Sequence, residues 1–115
     1  MSSYYKRGGV EAISVIENWG LGFHVGNAVK YLCRAGHKDP QTKDADLRKA
    51  VWYLRRAADI PAEIPEIPPT NVFPARTVSM AWGLPPRLDR ALRAIFWSDL
   101  NGAADLIEAE RGDQP

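Results

Sequence analysis

Five of the chain's nine prolines fall within residues 59–74, Asp-Ile-Pro-Ala-Glu-Ile-Pro-Glu-Ile-Pro-Pro-Thr-Asn-Val-Phe-Pro. No helix runs through such a stretch, because proline lacks the backbone N–H and its ring strikes the preceding turn. The 115 residues are therefore expected to fall into a unit at 1–60, an extended connector at 61–74 and a second unit at 75–115. Ile64, Ile67, Val72 and Phe73 are too apolar for a free tether. The connector is read as lying along the core in a polyproline-like conformation, with a plain linker as the alternative.

On the N-terminal side, Val10, Ile13, Ile16 and Trp19 share one helical face, and Gly20 is placed to end that helix in a left-handed turn. The spacing predicts helices over Gly9–Trp19, from about Phe23 to Ala35 with Gly36 as its stop, and from Asp44 or Asp46 to Ala58. Val25, Ala28, Val29 and Leu32 form the buried stripe of the second, and Leu47, Ala50, Val51 and Leu54 that of the third. Nothing reads as a strand, so the fold class expected is all-α.

Beyond the connector the pattern returns, with Trp19-Gly-Leu reappearing as Trp82-Gly-Leu. At that offset the second-helix stripe falls on Leu88, Ala91, Leu92 and Ile95, and after a shorter loop the third falls on Leu100, Ala103, Ala104 and Ile107. Two related three-helix units are inferred, the second a degenerate copy; a chance match of amphipathic helices is the alternative. The polar positions are not repeated: Asn27, Lys30, Tyr31 and Arg34 correspond to Arg90, Arg93, Ala94 and Trp97. A site is expected mainly in the first unit, the second being structural, a partner platform or a lid.

Charge agrees with that asymmetry. Net charge is +1, but residues 1–60 hold ten basic and six acidic side chains, against five and eight in 61–115. An anionic ligand is expected to prefer the first half. The single cysteine, Cys33, can neither form an internal disulfide nor anchor a cysteine-rich zinc site, and with no signal-peptide pattern it points to a reducing cytosol. No apolar run approaches a membrane span of ~20 residues.

Asn27, Lys30, Tyr31 and Arg34 lie at i, i+3, i+4 and i+7, one polar stripe on the second helix. An amide, a compact cation, a ring with a hydroxyl and a bidentate guanidinium suit a nucleotide or another phosphorylated small molecule, although a plain solvated face would look the same. Before the first helix, Tyr5 offers a stacking ring, Lys6 and Arg7 charge, and Gly8 and Gly9 a close backbone approach to an anion, or simply a turn. His37 and Lys38, just past the second helix, are candidate phosphate contacts, and Glu11 and Asp46 candidate magnesium ligands. Asp44 and Asp46 also read as acids favouring a helix N-terminus. No Gly-rich loop followed by Lys and Ser/Thr is present, which excludes a P-loop kinase, and Cys33 at an apolar position reads as core.

Tyr5-Lys-Arg-Gly-Gly-Val-Glu-Ala-Ile, Gly22-Phe-His-Val-Gly-Asn-Ala-Val-Lys-Tyr-Leu-Cys-Arg-Ala-Gly-His-Lys-Asp39 and Asp46-Leu-Arg-Lys-Ala-Val-Trp-Tyr-Leu54 together resemble the SaV-like family of small bacteriophage proteins, a domain of unknown function often labelled nucleotide kinase. The resemblance covers residues 4–58; the family opens with His-Tyr where this chain has Tyr4-Tyr5. It implies a phage protein acting in the host bacterial cytoplasm, with phosphorylation of deoxynucleoside monophosphates by ATP and Mg2+ without a P-loop. The function expected is nucleotide binding, with kinase activity as its extension. The alternative is a non-catalytic effector that sequesters a nucleotide signal or binds a host protein to counter bacterial defence. DNA binding through a helix-turn-helix-like pair ranks last, and nucleic acid is not the expected partner. Trp19, Trp52, Trp82 and Trp97 supply much apolar area for a small domain, so a homo-oligomer is expected unless all four are core.

Overall fold

The computed structural model describes residues 6–35, 37, 40–64 and 73–112. A two-residue hairpin, β1 (Lys6–Arg7) and β2 (Val10–Glu11), precedes α1 (Ala12–Asn18), α2 (Phe23–Arg34) and α3 (Lys43–Ala58). After the connector come α4 (Ala75–Trp82), α5 (Pro86–Phe96) and α6 (Leu100–Gly112). The fold is all-α apart from this small hairpin. Its four long helices pack in the order α2, α3, α6, α5, with α1 against α2 and α4 against α5.

The periodic stripes are what bury. Val25, Ala28, Val29 and Leu32 of α2 meet Leu47, Ala50 and Leu54 of α3, and Leu88, Ala91, Leu92 and Ile95 of α5 meet Leu100, Ala103, Ala104 and Ile107 of α6, all essentially solvent-free. Each such Leu or Ile contributes roughly 1.5–3 kcal/mol over its exposed state. Ala50 of α3 and Ala103 of α6 are fully buried small residues on the two central helices.

The short helices end alike. Trp19 and Trp82 are each followed by a left-handed glycine, Gly20 at φ 64° and Gly83 at φ 61°. Leu21 N donates to Ile16 O at 3.0 Å and Leu84 N to Ser79 O at 3.1 Å, which closes the last turn of each helix. The indole N–H of Trp19 donates to Phe73 O at 2.8 Å, two residues before α4, and that of Trp82 donates to Val10 O at 3.0 Å, two residues before α1. Each half thus ties its buried tryptophan to the lead-in of the other half's first helix.

Four expectations need amendment. The first helix starts at Ala12 rather than Gly9, because Gly8 and Gly9, at φ 57° and 81°, form a two-residue hairpin turn that consumes Lys6–Glu11. A strand of two residues is too short to show alternation, which is why none was expected. The connector opens on a 3₁₀ turn, Pro61–Glu63, rather than a fully extended segment; residues 65–72 lie outside the described set, as does Gly36. The tryptophans divide: Trp19 and Trp82 are core, whereas Trp52 and Trp97 are 60% and 65% exposed.

Candidate functional site

The stripe on α2 stands as spaced, with Asn27, Lys30, Tyr31 and Arg34 all half-buried along its outer face. Its N-terminal end borders a groove of about 290 Å³ where α1 meets α2, lined by Ile16, Leu21, Phe23, Gly26, Asn27 and Lys30. Gly26 opens this groove: a Cβ there would sit 3.2 Å from Ile16 Cγ2, against the groove wall. Asn27 Nδ2 donates to Phe23 O at 2.8 Å, which fixes the amide and leaves Oδ1 as its acceptor face. The result is an apolar floor with one amide and one cation at its edge.

Lys30 also borders an aromatic platform shared by α2 and α3. Tyr31 and Tyr53 stack with centroids 6.0 Å apart and planes 13° from parallel. The ammonium groups of Lys30 and Lys49 lie 4.8 and 5.3 Å from the Tyr31 ring centroid, within cation–π range. Phe23 and Trp52 approach Tyr53 edge-on, at 6.1 and 5.1 Å. At the start of α2, Glu63 from the connector accepts the backbone N–H of His24 at 3.3 Å, and its Oε1 lies 3.1 Å from His24 Nδ1. His24 is thus tied to the helix start, with its ring edge-on to Phe23.

The remaining candidates lie elsewhere or do other work. Arg34 turns onto Asp46, Nε 3.5 Å from Oδ1, and the Asp46 side chain is only 2% exposed. Asp46 Oδ2 is buried with no hydrogen-bond partner among the described residues. Asp46 is therefore not an open carboxylate, and with Asp44 it lies in the first turn of α3, where acids favour a helix N-terminus. Its counterpart Asp99 does cap, accepting the Gly102 N–H at 3.0 Å. Glu11 pairs through its backbone with Lys6 in the hairpin, and among the described residues no three His, Cys, Asp or Glu side chains gather at metal-binding distance. Gly8 packs against the Ala81 backbone of α4, where no Cβ fits. His37 is exposed, its N–H donating to Arg34 O at 2.6 Å. Tyr5 and Lys38 lie outside the described residues.

Three contributors were not singled out from the sequence. Tyr53 and Lys49 sit on the face of α3 that was read only for its buried stripe; their i, i+4 spacing opposite Leu47, Ala50 and Leu54 was the available signal. Phe23 was read as a helix start and is two-thirds exposed. A further cavity of about 190 Å³ holds Arg7 and Lys43 between Ala35 and the Gly83–Pro85 turn. Both cations are engaged there: Arg7 Nη1 donates to Cys33 O at 3.3 Å, and Lys43 Nζ lies 3.8 Å from Glu110.

Residues 1–55 match the model of a family described as a protein of unknown function (DUF3310), an uncharacterised domain family. No curated protein and no solved structure matches the chain. No helix among the described residues is long and apolar enough to cross a membrane.

Proposed function

We propose that the chain binds a nucleotide or a related phosphorylated small molecule on the outer face of α2, through the groove that continues onto the Tyr31–Tyr53 platform. The observation that carries this reading is the position of Lys30, which borders both the apolar groove and the stacked rings. A planar base suits the Phe23, Ile16 and Leu21 floor, with Asn27 Oδ1 accepting from an exocyclic amine. The phosphate then lies toward Lys30 and Lys49, whose ammonium groups it draws from the Tyr31 ring. Lys6 and His37 belong to this reading only as outer contacts, and Tyr5 and Lys38 lie outside the described residues. Arg34 supports it from beneath by anchoring α2 to α3.

Deoxynucleoside monophosphate kinase activity with ATP and Mg2+ is the catalytic form of this reading. The alternative is a protein that holds a nucleotide without turning it over, as a phage effector against a host defence signal would. The donor set favours the second, because the groove is lined by an amide and a cation, while the carboxylate beside its Gly22, Glu63, is held by His24. We also infer that the halves are copies of one three-helix unit, the second having exchanged its polar stripe, so one nucleotide binds per chain. An assembly of several chains, if it forms, would carry one such site on each.

A phosphorus NMR time course with ATP, Mg2+ and mixed deoxynucleoside monophosphates separates the cases. New diphosphate signals establish the kinase. Broadening without product, abolished by Lys30→Ala and weakened by Tyr53→Ala, establishes the binding protein. Spectra unchanged by the wild-type protein overturn both.

A further inference from the structure

We propose that the groove between α4 and α5 is a docking site for an acidic amphipathic peptide segment of a protein partner. It lies in the second half, apart from the nucleotide groove and independent of it. Its volume is about 280 Å³ and it is lined by Arg76, Ser79, Met80, Leu84, Asp89 and Arg93. Adding 63 to Ile16, Leu21 and Lys30 of the first groove gives Ser79, Leu84 and Arg93, so the two grooves are built at equivalent places on the two helix pairs. Their chemistry differs.

The C-terminal half is acidic overall, yet all but one of its acids lie outside α4 and α5, which carry Arg76, Arg87, Arg90 and Arg93 against the single Asp89. Arg93 Nε pairs with Asp89 Oδ1 at 3.0 Å and Arg87 lies 4.0 Å from Glu110. Arg76 and Arg90 are exposed and meet no carboxylate among the described residues. The local field is therefore positive and faces solvent, which complements an acidic partner. Large apolar side chains stand beside these arginines: Met80 in the groove is 70% exposed, and Trp97 follows Arg93 by one turn of α5. Arg76, Arg93 and the exposed Met80 line the groove itself, and the exposed Arg90 and Trp97 extend the same mixture of cation and apolar area along α5 and its C-terminal end, a composition suited to apolar anchors at helical spacing.

A second copy of this chain fits poorly, because a two-fold contact would set the arginines of one copy against those of the other. Asp89 is engaged by Arg93 inside the groove, which leaves Arg76 and Arg90 as the cations open to an acidic partner.

The test is a selection of random 16-residue displayed peptides on the whole protein, followed by titration of the synthetic winners into wild type, R76E/R90E and M80S/W97S. All four substituted side chains are exposed, and circular dichroism checks that each variant keeps its helices. Winners rich in Asp and Glu around two or three apolar residues are expected, with affinity for wild type at least tenfold above that for either variant. Winners with no acidic bias, or affinities equal across the three proteins, overturn the proposal, as does a selection yielding no binder. It also falls if wild type sediments as a dimer that M80S/W97S dissolves, or binds phosphatidylglycerol vesicles in a manner that R76E/R90E abolishes.

Discussion

Arg34 lies across Asp46, with Nε 3.5 Å from a carboxylate that the α2–α3 packing has almost completely removed from water. The ion pair stands where the stripe of α2 runs down onto α3, so Arg34 is held by its own protein. Charge reversal at Arg34 should unsettle the fold as well as any site, since two negative groups would share a buried place. Arg34→Met strands the carboxylate and should cost roughly 2–3 kcal/mol in urea unfolding, somewhat below the usual loss for a fully buried pair because the arginine retains solvent contact. Asp46→Asn should cost less, as the guanidinium can turn outward. Equal losses would mean that the pair itself is not the source.

The Gly-Gly turn makes a sharper contrast. Gly8 and Gly9 both have positive φ, but only Gly8 faces the backbone of Ala81, whereas a Cβ on Gly9 enters open space. Gly9→Ala should lose about 1 kcal/mol, the cost of a left-handed L-residue. Gly8→Ala should lose about 3 kcal/mol, because the hairpin must also withdraw from α4. Thermal melts of the two variants give the order directly, and a reversed order would remove the hairpin's packing against α4 as the reason for this dipeptide.

The helical skeleton was legible in the sequence because burial follows a 3.6-residue period: Val25 to Leu32 and Leu88 to Ile95 declare their own inner faces. The matching tryptophan turns were legible from Trp-Gly-Leu alone. The candidate site was legible only in part. Asn27, Lys30 and Tyr31 share a face by spacing, but whether that face meets a groove depends on how α1 crosses α2 at Gly26, and a one-helix pattern carries no information about a crossing. Tyr53 becomes part of the platform only through the register of α3 on α2. The Arg34–Asp46 pair was illegible for a related reason, since the spacing of Arg34 with Lys30 is unaffected by an acid twelve residues later that folds beneath it.

Asp44 and Arg111 join the first turn of α3 to the last turn of α6, Nε to Oδ1 at 2.8 Å, and Glu108 adds a second contact at 2.8 Å. The hydrogen bond from Arg111 holds the Asp44 carboxyl below the ordinary carboxylate value. A depressed carboxyl stabilises the fold above its unfolded pKa of about 3.9, and that contribution disappears as pH falls through the lower folded value. Wild type should therefore melt above Asp44→Asn at pH 7, and the gap should close as pH falls below about 4. The pair is open to solvent, so 1 M salt should narrow the gap at pH 7 as well. A gap that does not narrow as the pH is lowered below about 4 would assign the effect of Asp44 to something other than its charge.

Cys33 sits on the buried stripe of α2, and burial pushes its thiol up to about 12, only partly offset by the nearby Arg7. The reactive species is the thiolate, whose fraction at pH 8 is then on the order of one part in ten thousand. Iodoacetamide should leave the folded protein unmodified over hours at pH 8 and should label it within minutes in 6 M guanidinium. Because the folded thiol stays neutral while the unfolded one ionises near pH 8.5, labelling and loss of stability should both rise as pH climbs from about 9 toward 12. Reaction in the native state should follow global unfolding, so Arg34→Met should speed labelling at pH 8 in proportion to its loss of stability, while Lys30→Ala should not change it. Rapid labelling of the native wild type at pH 8 would place Cys33 outside the core and would undo the register of α2 on α3 from which the Tyr31–Tyr53 platform is built.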